Sequence, residues 1–224
     1  MAGRFRWLLA QLAISVLAAA PLSAAWPQDA SFGALWGAHV SVAYSSWDNL
    51  GNVQPAGRGG PFKTSGTGIE FGGYTSLARW GPARVLLGAE LGFMGFNADV
   101  IFEADGKAES AMETTYISTS AKFRFGEPAS RYLDLDMGLG WYQADTKYID
   151  CAAISACLGA ETRSSTIGAS AGVRAMLGRG FFTGARIHIV DFDPIQALGP
   201  ATGGLDGPIY SVFVGWEFAN WERR

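Results

Sequence analysis

Leu133-Asp134-Leu135-Asp136-Met137-Gly138-Leu139-Gly140-Trp141 alternates strictly between an apolar side chain and an aspartate or glycine. A strand points successive side chains to opposite faces, so this segment has one continuous apolar face and one face of charge and glycine. Segments of the same kind recur along the chain, and two architectures suit them. If the apolar faces meet in a core, the protein is a soluble β-sandwich. If they face lipid, it is a closed transmembrane barrel with a polar interior.

The N-terminus bears on the compartment. Arg4 and Arg6 precede an apolar run from Trp7 to Ala20, followed by Ser23-Ala24-Ala25. This is the layout of a secretory signal peptide over residues 1–25, with residues 26–32 as a short segment before the first strand. The run is shorter than the ~20 apolar residues that a spanning helix needs. The chain has 30 glycines, 13% aromatic residues and 17% charged residues. That charge content is below the ~25% usual for soluble domains and favours many strands joined by tight turns. Charges or glycines break every later apolar run, so a mature chain that crosses a membrane must do so as a barrel.

The formal net charge is −3 with the leader arginines counted, so the mature chain is more acidic still and offers no basic surface for nucleic acid. The glycine runs Gly57-Arg58-Gly59-Gly60 and Gly203-Gly204 precede no apolar helix, which removes the phosphate-loop reading, and no cofactor is expected. Cys151 and Cys157 are the two cysteines, in one polar segment. In an exported protein such a pair forms a disulfide that staples a loop. A metal site would want more ligands than the distant His39 and His188 supply, and none is expected.

Period-two runs bounded by Gly, Pro, Asn and Asp predict eight strands, at about 36–47, 67–77, 84–96, 116–125, 132–143, 165–177, 181–192 and 209–218. The connections between them alternate in length. Residues 78–83, 126–131 and 178–180 form short turns, whereas 48–66, 97–115, 144–164 and 193–208 form long loops, the second of them long enough to extend its hairpin beyond the membrane. Outer-membrane barrels sort their connections in this way, with short turns in the periplasm and long loops outside the cell. A sandwich has no reason to do so.

The apolar face takes Trp36, Val40, Val42 and Tyr44, then Ile69, Phe71 and Leu77. Val85, Leu87, Leu91 and Phe93 follow, with Ile117, Phe123 and Phe125. Aromatic residues near strand ends, among them Trp36, Trp80, Tyr132 and Trp216, read as interfacial girdles. The other face carries Glu70, Glu90, Asp134, Asp136 and Glu217 with Lys122, Arg124, Arg174 and Arg186, and also His39, Ser41 and His188. In a barrel these residues form a lumen charge network in which Lys122 and Arg124 reach the two aspartates of the neighbouring strand. Gly68, Gly72, Gly88, Gly92, Gly138, Gly140, Gly168 and Gly172 leave room for the long arginines. An eight-stranded barrel has an interior that side chains can fill, so a plugged lumen is expected.

With these features the chain resembles the small eight-stranded outer-membrane β-barrel families, namely the OmpA-type transmembrane domain, OmpX-type proteins and related porin-like surface proteins. The resemblance covers residues 33–218 and rests on the strand and loop pattern and on the terminal segment Tyr210-Ser211-Val212-Phe213-Val214-Gly215-Trp216-Glu217-Phe218. It implies an all-β, up-and-down antiparallel transmembrane barrel in the outer membrane of a Gram-negative bacterium. It also implies that Tyr210, Val212, Val214, Trp216 and Phe218 are the signal read by the outer-membrane assembly machinery. In the family an aromatic residue usually ends the chain, whereas here residues 219–224 follow as a periplasmic tail. The partners expected are outer-membrane lipid and lipopolysaccharide. A closed barrel leaves no strand edge to recruit a second copy, so a monomer is expected.

Three roles fit this frame: a structural and surface-interaction role carried by four extracellular loops, a small-solute channel of porin type, and an acyl hydrolase acting on lipid A. Small barrels that modify lipid A are similar in size and topology and use Ser, His and a carboxylate. The resemblance would place such chemistry on His39, Ser41 and Glu70, with Glu217 as another carboxylate, although the asparagine expected after the serine is Val42. A base must lie within hydrogen-bond reach of the hydroxyl it activates. The bland alternative is that these residues belong to the interior network, and no enzyme is the primary expectation. His188 and Asp191, three apart on a strand, face opposite sides and do not make an acid–base pair. Asp145, Asp150, Asp191, Asp193 and Asp206 near the outer rim lack the spacing of a calcium loop.

Overall fold

The computed structural model describes residues 36–52, 62–98, 101–103, 106–108, 110–127, 131–148, 163–195 and 205–219. The expected signal peptide, the segment 26–32, Cys151 and Cys157, and the tail beyond Ala219 lie outside them. The described residues form ten strands: β1 (Trp36–Ser46), β2 (Phe62–Trp80), β3 (Ala83–Ala98), β4 (Ile101–Glu103), β5 (Gly106–Ala108), β6 (Ser110–Glu127), β7 (Arg131–Tyr148), β8 (Arg163–Gly178), β9 (Phe181–Phe192) and β10 (Leu205–Ala219). Eight of them close into a ring in the order β1-β10-β9-β8-β7-β6-β3-β2, with every neighbouring pair antiparallel. The short β4 and β5 pair as a separate hairpin within the second long connection, which is the extension the loop length anticipated.

The short connections are tight because their chemistry allows it. Gly81, at φ 57°, followed by Pro82 makes the two-residue turn between β2 and β3. Between β8 and β9 the turn is Arg179-Gly180, with φ values of 53° and 87°, positive at both central residues as a twist-matched hairpin requires.

The two faces separate as the alternation demands. Leu133, Leu135, Met137, Leu139 and Trp141 are 40–50% exposed, while Asp134 and Asp136 between them are 0% and 3% exposed. Val42, Leu87, Ile117, Val212 and Phe218 likewise point outward, and Glu70, Glu90, Lys122, Arg124, Arg174, Arg186 and Glu217 are buried. Charges inside and leucines outside exclude the soluble sandwich for this ring. Tyr132 corrects the expected girdle. It is buried, because it sits one residue before the outward Leu133 and so shares the parity of Asp134.

Several strands run past their expected limits, furthest toward the long loops. β2 starts at Phe62, β6 at Ser110 and β10 at Leu205, and β7 continues to Tyr148. In these extensions, and in the loop-side ends of β3 and β9, the polarity of the faces inverts. Phe96, Met112, Ala144, Val190, Phe192 and Leu205 point inward and are buried, while Glu113, Asp145, Asp191 and Asp206 lie on the outer face. Period two persists with its phase reversed. An outward polar face and an inward apolar one are what a barrel needs where it leaves lipid for water, so the ring continues beyond the hydrocarbon as a water-facing collar. For β6 the stretch Ser110–Thr115 gives a projection of roughly 15 Å at ~3.3 Å per residue with the usual strand tilt.

Candidate functional site: the lumen and its outer cap

Inward side chains divide the lumen into layers. Nearest the short turns, β6 and β7 set Arg124 directly opposite Asp134, and β8 sets Arg174 on the other side of it. Arg124 Nε and Nη2 donate to Asp134 Oδ1 and Oδ2, each at 2.8 Å, and Arg174 Nη2 donates to Oδ2 at 2.6 Å. Glu217 of β10 is the second carboxylate of this layer. It accepts from Tyr74 at 2.8 Å and Tyr132 at 2.5 Å, and it pairs with Arg124 at 3.3 Å and Arg174 at 3.2 Å. The Arg124 guanidinium lies 3.5 Å from the centre of the Tyr132 ring, which adds a cation–π contact.

The middle layer centres on Arg186 of β9. Its Nη1 reaches Glu70 Oε2 at 2.5 Å and Glu90 Oε2 at 2.7 Å; its Nη2 reaches Glu90 Oε1 at 3.0 Å and Asp136 Oδ1 at 3.4 Å. Lys122 pairs with Glu90. Tyr116 donates to Glu70 at 2.5 Å, and His39 Nε2 lies 3.3 Å from the other Glu70 oxygen. The expected proximity of Arg124 to Asp134 therefore holds as a bond. Lys122, although it faces Asp136 in register, turns across the lumen to Glu90, and Asp136 takes Arg186 instead. Five carboxylates face four cations, so each buried charge of the network has an ionic partner, as removal from water requires.

Above the charges the lumen becomes aromatic and then apolar. Tyr116 stacks on Tyr142 with ring centres 5.3 Å apart, and the Tyr142 hydroxyl meets His188 Nδ1 at 3.0 Å. Trp47, Leu50, Phe62, Phe96, Met112, Phe192, Ile195 and Leu205 then form one buried cluster across the loop end. Trp47 follows β1 directly. Its backbone N–H donates to Thr64 O at 2.7 Å, its indole donates to Asp206 O at 3.2 Å, and its ring packs on Phe96 and Phe192. Asn49, in the 3-10 turn Asp48–Asn52, holds the same Asp206 carbonyl at 2.9 Å. The first long connection is thereby tied over the lumen to the start of β10.

Glycines make room for these rings. A Cβ at Gly92 would meet the Tyr116 ring, and one at Gly37 the Tyr74 ring; each pair lies directly opposite across its ladder. Phe213 lies on Gly184 and Phe182 on Gly215 in the same manner. The expectation that the lumen glycines accommodate arginines is corrected. The nearest side chains at Gly72, Gly88, Gly92, Gly168 and Gly172 are His39, Lys122, Tyr116, Tyr142 and Asp136.

Of the residues considered for hydrolysis, the structure brings His39 to Glu70 and leaves Ser41 apart. Ser41 Oγ has no hydrogen-bond partner among the described residues, and all three residues are buried in the lumen. His39, Glu70 and Glu90 place one ligand atom each within 4.8 Å of one another, but the oxygens a cation would take are ion-paired with Arg186 and Lys122. His188 points inward and Asp191 outward, as their spacing predicts. The aromatic members of the lumen, Tyr74, Tyr116 and Tyr142, were not singled out from the sequence. The signal that finds them is parity, since each lies an even number of residues from an inward charge on its own strand.

The closed antiparallel ring, lipid-type exterior and charged interior define an eight-stranded transmembrane β-barrel. The chain matches the outer membrane protein beta-barrel domain over residues 12–218 and belongs to that family. It is therefore an outer-membrane protein of the Gram-negative envelope. Solved structures similar to it include the attachment invasion locus protein Ail of Yersinia pestis, in complex with the heparin analogue sucrose octasulfate. That protein is 14% identical, with 84% of this chain and 100% of that one covered, at a TM-score of 0.45. Neisserial surface protein A is 12% identical, with 83% and 98% covered, at a TM-score of 0.40. No curated protein sequence matches the chain.

Proposed function

We propose that the protein works at the cell surface through its four long connections, carried on a barrel whose lumen does not conduct solutes. The observation that carries this reading is the pair of seals along the axis. Two ion-paired layers span the lumen at Asp134–Glu217 and Glu70–Glu90, and the apolar cluster under Trp47 closes the loop end. A solute would have to break buried pairs that cost several kcal/mol each to separate and then displace close-packed rings. The inverted collar supports the other half of the reading, because it lifts the loops clear of the hydrocarbon.

In this orientation the short turns face the periplasm, the β10 residues Tyr210 to Phe218 serve assembly, lipopolysaccharide surrounds the outer rim, and Cys151–Cys157 staples the third loop of a monomer. Planar-bilayer recording on the refolded mature protein tests the proposal. The expected trace has no steady single-channel step; reproducible solute-sized conductance would replace it with the porin reading. A lipid-A mass profile that changes on deletion of the protein and reverts with the wild type but not with His39→Ala would favour the hydrolase instead.

A further inference from the structure

The two ends of the barrel carry opposite charge. Among the described residues with placed side chains, the loop end bears Asp48, Glu113, Asp145, Asp191, Asp193 and Asp206 against Lys63 and Arg163. The short-turn end bears Arg79, Arg84, Arg131 and Arg179, and the sequence of its three turns adds a single acid, Glu127. Arg79, Arg131 and Arg179, one at each turn, are exposed, and none meets a carboxylate among the residues with placed side chains, with Glu127 opposite Arg131 in the β6–β7 ladder; Arg79 Nε makes a local bond to Gly81 O at 3.3 Å. Arg84, directly opposite Arg79, is half-buried and already engaged.

These guanidiniums sit at a definite depth. Arg131 shares the outward face of Leu133, one pleat beyond it, and Arg179 lies two residues past the outward Leu177. Exposed rings ring the same level, with Trp80 at 72% exposure beside Arg79, Phe125 and Phe181 at the other two turns, and Trp36 and Trp216 on the first and last strands. Tryptophan at a membrane–water boundary marks the headgroup layer. Turns of two or three residues do not project past that layer, so a soluble partner would have to enter it to reach the arginines. A phosphodiester bearing net negative charge is already there, and guanidinium matches its oxygens in a bidentate fork.

We propose that Arg79, Arg131 and Arg179 form a headgroup-binding collar that selects anionic phospholipid, of the phosphatidylglycerol type, in the leaflet facing the short turns. With the orientation of the preceding section this is the periplasmic leaflet. The preference itself does not depend on that orientation or on whether the lumen conducts, so the two readings can fail separately.

The test uses the full mature protein refolded into phosphatidylcholine vesicles containing spin-labelled phosphatidylglycerol or spin-labelled phosphatidylcholine, with folding confirmed by heat-modifiable migration. The wild type should bind the anionic label about twofold to threefold more strongly, averaged over the lipid shell. The ratio should fall to near one in the Arg79→Gln, Arg131→Gln, Arg179→Gln triple variant, and should weaken in the wild type at high salt. Each single variant should lower the ratio part-way, which keeps the test decisive if the triple variant folds poorly. A wild-type ratio near one, or the same ratio in wild type and variants, would overturn the proposal.

Discussion

Asp134 and Arg124 face each other across β7 and β6, and the carboxylate takes both arms of the guanidinium fork at 2.8 Å. Arg174 shares the same carboxylate from β8, so one buried anion joins three consecutive strands. Removing one member of such a set leaves the others charged without water. Asp134→Asn keeps the shape and deletes the charge, and it should lower stability by about 3–5 kcal/mol. Urea titration of the refolded barrel in detergent, read by the shift of its midpoint, checks this. A midpoint within error of wild type would mean that Glu217 alone holds both arginines.

Rings over glycines give a prediction with an internal control. Gly92 and Gly95 lie on the same strand, three residues apart and on opposite faces. A methyl at Gly92 would run into the Tyr116 ring, which cannot swing away without losing its 2.5 Å bond to Glu70 and its stack on Tyr142. A methyl at Gly95 finds Thr67 O at 3.9 Å as its nearest neighbour. Gly92→Ala should therefore cost about 1–3 kcal/mol from overpacking, and Gly95→Ala should be neutral or slightly favourable. Unfolding midpoints for the two variants, measured side by side, should separate by that amount.

The ring and its two faces were legible in the sequence because lipid and a charged lumen impose opposite demands on successive residues. Leu133 to Trp141 carries that contrast at full amplitude, and every charged residue assigned to the lumen is buried there. Strand ends beyond the membrane were lost because the alternation reverses phase. At Met112-Glu113 or Ala144-Asp145 a reader tracking outward leucines sees the pattern stop. Tyr132 was misplaced on residue type, when its position next to Leu133 already fixed its side. Pairings across the lumen, such as Arg186 with Glu70 at a separation of 116 residues, depend on ring closure and stagger, which no local pattern records.

Trp47 holds the outer seal, and its removal should show in two ways. The side chain is fully buried, packs on Phe96 and Phe192, and bonds Asp206 O through its indole. Trp47→Ala leaves a cavity the size of the ring and should cost about 3–5 kcal/mol. The first long connection should also become easier to cut, because Trp47 N–H to Thr64 O and the Asn49 bonds to Asp206 tie it to the collar. Limited proteolysis on folded protein should give faster cleavage in residues 48–61 of the variant than of the wild type. Unchanged cleavage would show that Asn49 is a sufficient tether.

Arg179 occupies a conformation that costs it stability. At φ 53° its backbone lies in the left-handed region, where a side chain with a Cβ is disfavoured by about 1–2 kcal/mol unless it is asparagine or aspartate. Hairpin turns of this type take Asn or Gly at that position for the same reason. Arg179→Asn should therefore raise the unfolding midpoint, by an amount corresponding to about 1 kcal/mol, whereas Arg179→Val, β-branched in a region that excludes it, should lower it. If the guanidinium serves the headgroup collar, the Asn variant gains stability while losing part of the preference for phosphatidylglycerol. Opposite movement of the two measurements in one variant is the outcome expected of a residue kept for its side chain at the expense of its backbone. Should stability and lipid preference both remain at wild-type values, neither the strain nor the collar assigned to Arg179 would stand.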